Sequence, residues 1–140
     1  MGILGRLFGK SGEREIAVSA LDVSSGDFDF EIVGESFYQD ELRRIAAGRT
    51  EKRERVKFRV VLLPEPNNKH DPRAVAVHAE QGGIIGYLSR EDAARYQPMI
   101  IAMKKTNGHY PSCMAVLTGG YGEKRSIGVV LDLDVDALEG

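Results

Sequence analysis

The sequence predicts an α+β fold, a small antiparallel OB-like or SH3-like β-barrel with two short helical segments, and three observations carry that prediction. Apolar residues alternate with charged ones along Phe28, Phe30 and Ile32, and again along Val56, Phe58, Val60 and Leu62, which is the period of a strand buried on one side. Gly82-Gly83 joins two further apolar runs at hairpin spacing. The resulting order, strand, helix, long strand, hairpin, helix, hairpin, suits a sheet that curls on itself with helices at its ends, and closure removes exposed strand edges. A chain of 140 residues buries roughly two-thirds of its unfolded surface, enough for a core without disulfides or metal.

Residues 1–27 read as a leader or arm. Ile3, Leu4, Leu7 and Phe8 fall at helical spacing and would suit an amphipathic anchor or a partner-docking peptide. The glycines among Met1 to Lys10 each cost a helix about 1 kcal/mol against alanine, which favours a partly disordered leader. Arg6 stands where a myristoylation signal needs Ser or Thr. Ile16 to Val23 is apolar enough for an added edge strand or an arm packed on the domain. The domain proper spans residues 28–136, and residues 137–140 form a tail.

Within the domain the first strand ends at Gly34, and Ser36-Phe-Tyr-Gln39 has the form of a capping box. The helix that follows carries Tyr38, Leu42, Ile45 and Ala46 on one face, with Gly48 as a left-handed terminator. Arg53 to Leu63 is the longest strand. Its polar face carries Arg55, Lys57 and Arg59, each about 6.6 Å from the next. Such a row suits either the backbone of an extended nucleic-acid strand or a solvated sheet face balanced by Glu51 and Glu54.

Pro64, Pro66 and Pro72 then bracket Asn67, Asn68, His70 and Asp71, residues that stiffen a chain or bond their own backbone in turns. Ala74 to His78 re-enters a strand, and Gly82-Gly83 turns it into Ile84 to Leu88. Ser89-Arg-Glu-Asp92 opens a second helix, which Pro98 should break or kink because it lacks an N–H. Met99 to Met103 resumes as a short helical piece. After the Asn107-Gly108 turn, Ser112 to Leu117 and Ser126 to Asp136 form two strands joined by a loose Gly119-Gly-Tyr-Gly122 loop.

Composition narrows the function. A net charge of −2 excludes a bulk polycation, so any nucleic-acid site is a local patch. The lone Cys113 has no disulfide partner and fits a reducing cytoplasm. No apolar run approaches the roughly 20 residues of a membrane span. His70, His78 and His109 lack metal-ligand spacing. Asp132, Asp134 and Asp136 alternate with apolar residues; they suit a divalent cation or, more simply, one wet strand face. The glycine pairs lack the lysine of a phosphate loop. No cofactor, no metal and no catalytic activity are expected.

Three segments carry a resemblance: Ile32-Val-Gly-Glu-Ser-Phe-Tyr38, the run Leu62-Leu-Pro-Glu-Pro-Asn-Asn-Lys-His-Asp-Pro-Arg-Ala-Val-Ala-Val77, and Gly83-Ile-Ile-Gly-Tyr-Leu-Ser-Arg90. Together, from about Phe30 to about Asp134, the chain resembles the HIRAN domain. That resemblance implies a modified OB-like barrel. HIRAN domains occur at the N-terminus of helicase-like fork-remodelling proteins and as small stand-alone bacterial proteins, and the best understood members capture the 3′ end of single-stranded DNA.

Carried over by position, the resemblance sets Phe37 and Tyr38 where aromatics hold terminal bases, each stack contributing about 1–3 kcal/mol; Tyr38 could instead staple the first helix to the core. Asp71 matches the acid that accepts a hydrogen bond from the 3′ hydroxyl and would repel a 3′ phosphate. The competing role for Asp71 is an Asx-turn cap of its own loop. Tyr87 borders the pocket. Three positions depart from the family. His70 replaces a tyrosine, and Ser36 and Pro64 stand where arginines are common, leaving Arg59, Lys69 and Arg73 as the compensating cations. The expectation is a non-catalytic module for single-stranded DNA, preferring its 3′ hydroxyl end, in DNA repair or replication and with a helicase or other repair protein as partner. A protein-protein interaction adaptor on the same scaffold is the alternative, and a metal-dependent hydrolase a weaker one.

Overall fold

A computed structural model describes residues 2–8, 15–80 and 82–139. Its elements are β1 (Gly2–Phe8), β2 (Glu15–Asp22), β3 (Phe30–Glu31), a 3₁₀ turn (Glu35–Tyr38), α1 (Gln39–Ala46), β4 (Lys57–Pro64), β5 (Val75–Ala79), β6 (Ile84–Tyr87), α2 (Arg90–Asn107), β7 (Tyr110–Tyr121), β8 (Lys124–Leu131) and α3 (Val135–Leu138). The strands form one curled, largely antiparallel sheet in the order β1-β2-β7-β4-β5-β6, with β8 on β7 and β3 on β8. Val33, just past β3, then bridges Tyr87 at the end of β6, so the pairings form a ring β6-β5-β4-β7-β8-β3 that returns to β6, with β1 and β2 outside it. This is the α+β, OB-like barrel that the alternation predicts.

The core follows from that alternation. Val60 and Leu62 of β4 point inward with Val75, Val77, Ile85, Cys113, Ala115, Val129 and Leu131, all nearly or fully buried. α1 adds Leu42 and Ala46, and α2 adds Ala93, Tyr96, Ile100 and Met103 at helical spacing. Burying each aliphatic side chain stabilises the fold by about 1.5–3 kcal/mol before entropy is set against it. The opposite face of β4 carries a smaller cluster, in which Ala20 of β2 covers Val61.

Gly86 is where barrel closure is tightest. A Cβ there would lie 2.7 Å from Ile32 Cδ1 and 2.9 Å from the Val33 carbonyl oxygen. Only glycine lets the two backbones approach closely enough for the paired Val33–Tyr87 hydrogen bonds, each 2.8 Å.

Several local expectations are corrected. Gly2–Phe8 is a strand paired with β2 rather than a helix, and β2 joins β7 in parallel through Ala20–Asp22. Ser36 caps nothing; it lies inside the 3₁₀ turn, and Tyr38 precedes α1 without a side-chain cap. Gln39 instead reaches across to β8, where its amide donates to the Ile127 carbonyl at 2.8 Å and accepts from the Ile127 N–H at 2.9 Å. α1 ends with Ala47, not Gly48, as the first left-handed residue. β4 begins at Lys57 because residues 50–53 form a turn in which Arg53 takes φ +60°.

α2 runs unbroken through the exposed Pro98 for 18 residues; the ring costs one backbone hydrogen bond, while burial of Tyr96 and Ile100 on either side holds the turn. Gly119 and Gly120 are part of β7 rather than a loose loop, and β8 ends at Leu131. Asp132 is 3 % exposed and accepts from the backbone N–H groups of Met114 (2.7 Å) and Gly26 (3.2 Å), while Asp134 caps α3. The three aspartates therefore do not share a wet strand face. No helix among the described residues is long and apolar enough to cross a membrane.

Candidate nucleic-acid interface

Strand parity places the site on the outside of the barrel. Val60 and Leu62 face the core, so Arg59, Val61, Leu63 and Glu65 face outward, and on the neighbouring strands Ala76, His78 and Tyr87 share that face by register. β4 ends at Pro64, and the Glu65 N–H still pairs with the Ala74 carbonyl at 2.8 Å. Residues 66–73 are thus a closed loop standing on the last rung of the β4–β5 ladder.

Inside the loop Asn68 is the organiser. Its side-chain oxygen accepts the N–H groups of His70 (2.8 Å) and Asp71 (3.1 Å), and its amide nitrogen donates to Glu65 Oε1 at 3.0 Å. Asp71 Oδ1 accepts the Arg73 N–H at 2.9 Å, an Asx turn. The carboxylate of Asp71 is 18 % exposed, with Arg73 Nε 3.8 Å away, and its Oδ2 takes no hydrogen bond among the described residues. Gln97 of α2, itself buried, donates to the carbonyls of Pro72 (2.8 Å) and Ala74 (3.1 Å) and pins the far side of the loop to the helix. Lys69, His70 and Arg73 are exposed.

An aromatic arm meets this loop. The 3₁₀ turn presents Phe37 with 84 % of its surface exposed, while Tyr38 leans on Tyr87 with ring centroids 6.4 Å apart. Burial raises the Tyr87 phenol above its ordinary pKa, and the Glu65 carboxylate and the Tyr38 hydroxyl beside it push the same way. Contacts therefore run from Tyr38 through Tyr87 and Glu65 to Asn68, whose amide sets the backbone of His70 and Asp71. His78 sits close enough to Glu65 for the carboxylate to favour its charged form. Burial outweighs that effect and lowers the His78 pKa below 6.5, with Nδ1 buried and unpaired.

An open groove of about 490 Å³ continues from the 3₁₀ turn along β8, lined by Glu35, Ser36, Gln39, Lys124 and Ser126 among others.

The sequence-predicted residues thus fall into two groups. Tyr38, Lys69, His70, Asp71, Arg73 and Tyr87 belong to one connected region, with Phe37 at its edge. Arg59 stands six residues from Glu65 along β4, about 20 Å away, and is held by Asp22 (3.2 Å), Ser112 Oγ (3.2 Å) and Glu80 (4.0 Å). The row of cations is also partly occupied, since Arg55 and Lys57 lie over the Phe28 ring at 5.3 and 5.2 Å. Sequence reasoning missed Glu65, Asn68, His78 and Gln97 as site-forming residues. Parity along β4 and β5 would have found Glu65 and His78, and the i, i+3 spacing of Glu65 and Asn68 hinted at their pairing.

With the loop, the aromatic arm and the barrel in place, a family model for the HIRAN domain matches residues 25–129. The chain belongs to the HIRAN family. The match covers most of the chain, and the HIRAN domain is a DNA-binding module, generally non-catalytic. Comparison with curated proteins and with solved structures gives no match. Within the HIRAN domain, the loop pinned by Asn68 and Gln97 is a hydrogen-bonded polar feature of the outer face.

Proposed function

We propose that this HIRAN domain binds single-stranded DNA and prefers a free 3′ hydroxyl end, serving DNA repair or replication beside a helicase or other repair partner. One observation carries the reading. Asp71 is fixed by its own Asx turn and by Asn68 and faces Arg73 through Oδ1, yet its partly exposed carboxylate keeps Oδ2 without a hydrogen-bond partner among the described residues. Such an oxygen accepts a hydrogen bond from a terminal hydroxyl and repels a phosphate at the same place.

The aromatic groups suit the rest of the ligand. Phe37 offers a whole ring face for a base, and the Tyr38–Tyr87 pair forms a firm wall beside it. Lys69 and Arg73 are the loop's own cations, and both are exposed. They stand in for the arginines absent at Ser36 and Pro64. Arg59 would contribute only by exchanging its carboxylate partners for phosphate. Fluorescence anisotropy with labelled oligonucleotides ending in a 3′ hydroxyl or a 3′ phosphate tests the proposal. Tighter binding of the hydroxyl end supports it; equal binding of both, or none at low salt, overturns it.

A further inference from the structure

A second charged surface surrounds the tip of the β7–β8 hairpin. Two adjoining clefts meet at Tyr121. One, about 390 Å³, is lined by Arg43, Glu51, Gly120, Tyr121, Gly122 and Arg125. The other, about 290 Å³, includes Arg53, Glu54, Arg55 and Tyr121. All four arginines are exposed, as is Tyr121 at 41 %. Glu51 and Glu54 lie in the clefts and Glu123 on the hairpin, but among the described residues none of the four guanidinium groups comes within 4.0 Å of a carboxylate.

The fold builds this arrangement from two distant segments, α1 with the turn after it and the β7–β8 hairpin. Gly120 adopts φ +79°, and a Cβ there would lie 2.7 Å from Thr50 Oγ1, so the turn after α1 is seated directly on β7. Thr50 is 5 % exposed. Arg53 itself takes the left-handed conformation, φ +60°, a cost of about 1 kcal/mol or more for a residue with a Cβ. That conformation accompanies a guanidinium stacked 4.9 Å from the Tyr121 ring centroid. From α1, Arg43 donates to the Arg125 carbonyl at 3.3 Å and so stands against the hairpin. A stacked guanidinium still presents its in-plane N–H donors, the geometry that grips phosphate.

We propose that Arg43, Arg53, Arg55 and Arg125, grouped around Tyr121, form a second nucleic-acid site that grips the phosphodiester backbone of a single strand and reads no end. Arginines interleaved with an exposed aromatic fit a sequence-tolerant strand contact better than a rigid duplex, because the ring supplies a stacking face for an unpaired base. The proposal rests on the DNA-binding character of the HIRAN domain and not on recognition of a 3′ end.

Covalently closed circular single-stranded DNA, which has no end, is the probe. The intact chain should bind it at low salt. Arg43→Gln with Arg125→Gln, and separately Arg53→Gln with Arg55→Gln, should each weaken that binding about tenfold and reduce the slope of log affinity against log salt by about 1.4, as expected for two lost phosphate contacts. Failure of the intact chain to bind the circle overturns the proposal. So does binding by both folded double variants with unchanged affinity and salt slope. Loss of discrimination between linear 3′ hydroxyl and 3′ phosphate strands would instead overturn the end-recognition reading while leaving the circle comparison intact.

Discussion

Replacing Asp71 separates its two roles. Asp71→Asn keeps a side-chain oxygen for the Arg73 N–H, now 2.9 Å from Oδ1, and therefore keeps the Asx turn, but it removes the charge. Asp71→Ala removes both. Loss of the turn hydrogen bond should cost about 1 kcal/mol of folding stability in the alanine variant and almost nothing in the asparagine variant. At the ligand, a hydrogen bond to a charged acceptor is worth about 1.5–3 kcal/mol, so either variant should bind a 3′ hydroxyl end roughly 10- to 100-fold more weakly. A 3′ phosphate at about 4 Å from the carboxylate is repelled by about 1–4 kcal/mol per unit charge at effective dielectrics between bulk water and protein surface. Asp71→Asn should therefore bind the two ends alike, with unchanged urea denaturation. Anisotropy titrations with both oligonucleotides, run beside urea melts, read each quantity. If Asp71→Asn still prefers the hydroxyl end as strongly as the parent chain, the carboxylate is only a turn cap and the reasoning fails.

Other outcomes follow from buried groups and tight contacts. The depressed pKa of His78 means that its unfolded form takes up a proton first, so its share of stability is full above pH 6.5 and falls as pH drops through that value; His78→Gln should flatten the change in urea midpoint between pH 7.5 and 5.5, and an identical slope would refute the assignment. Burial raises the Cys113 thiol well above its ordinary pKa, with Asp132 adding to the shift; the native thiol should resist a disulfide reagent and react promptly in denaturant. Gly86→Ala should lower stability by about 1–3 kcal/mol through overpacking against Ile32 and the Val33 carbonyl, seen as a lower thermal midpoint. Gly26→Ala, which has φ +88° and open space around the new methyl group, should lose only about 1 kcal/mol.

What could be read from sequence was what repeats over short distances. Alternation in Phe58, Val60 and Leu62 fixes which face of β4 is inside, and Ser89 followed by Asp92 marks the start of α2 correctly, with its hydroxyl accepting the Asp92 N–H at 3.1 Å. Misread features depended on partners far along the chain. Gln39 looks like half of a capping box, yet its amide pairs with Ile127, and Asp132 looks like a surface carboxylate, yet it closes onto Gly26 and Met114. Gly2–Phe8 is a different case, since it pairs with the next strand, β2, and that antiparallel pairing overrides the helical spacing of its apolar residues. Pro98 shows the converse, a local rule overruled by the packing of its neighbours. At the candidate site, Asn67 to Asp71 announce a turn, but the link from Glu65 to Tyr87 exists only once the sheet has curled.

The Val33–Tyr87 bridge gives that curl a further meaning. Tyr87 spends both backbone hydrogen bonds on the last rung of the ring, while its phenol borders the proposed DNA pocket. The same residue is the barrel's clasp and part of the proposed reading head. Local opening there would loosen the 3₁₀ turn, detach Tyr38 from its neighbour and dismantle the aromatic wall in a single event. Conversely, a strand end held against Tyr87 would latch the clasp, and the amides of Val33 and Tyr87 would exchange with solvent more slowly for as long as it stayed.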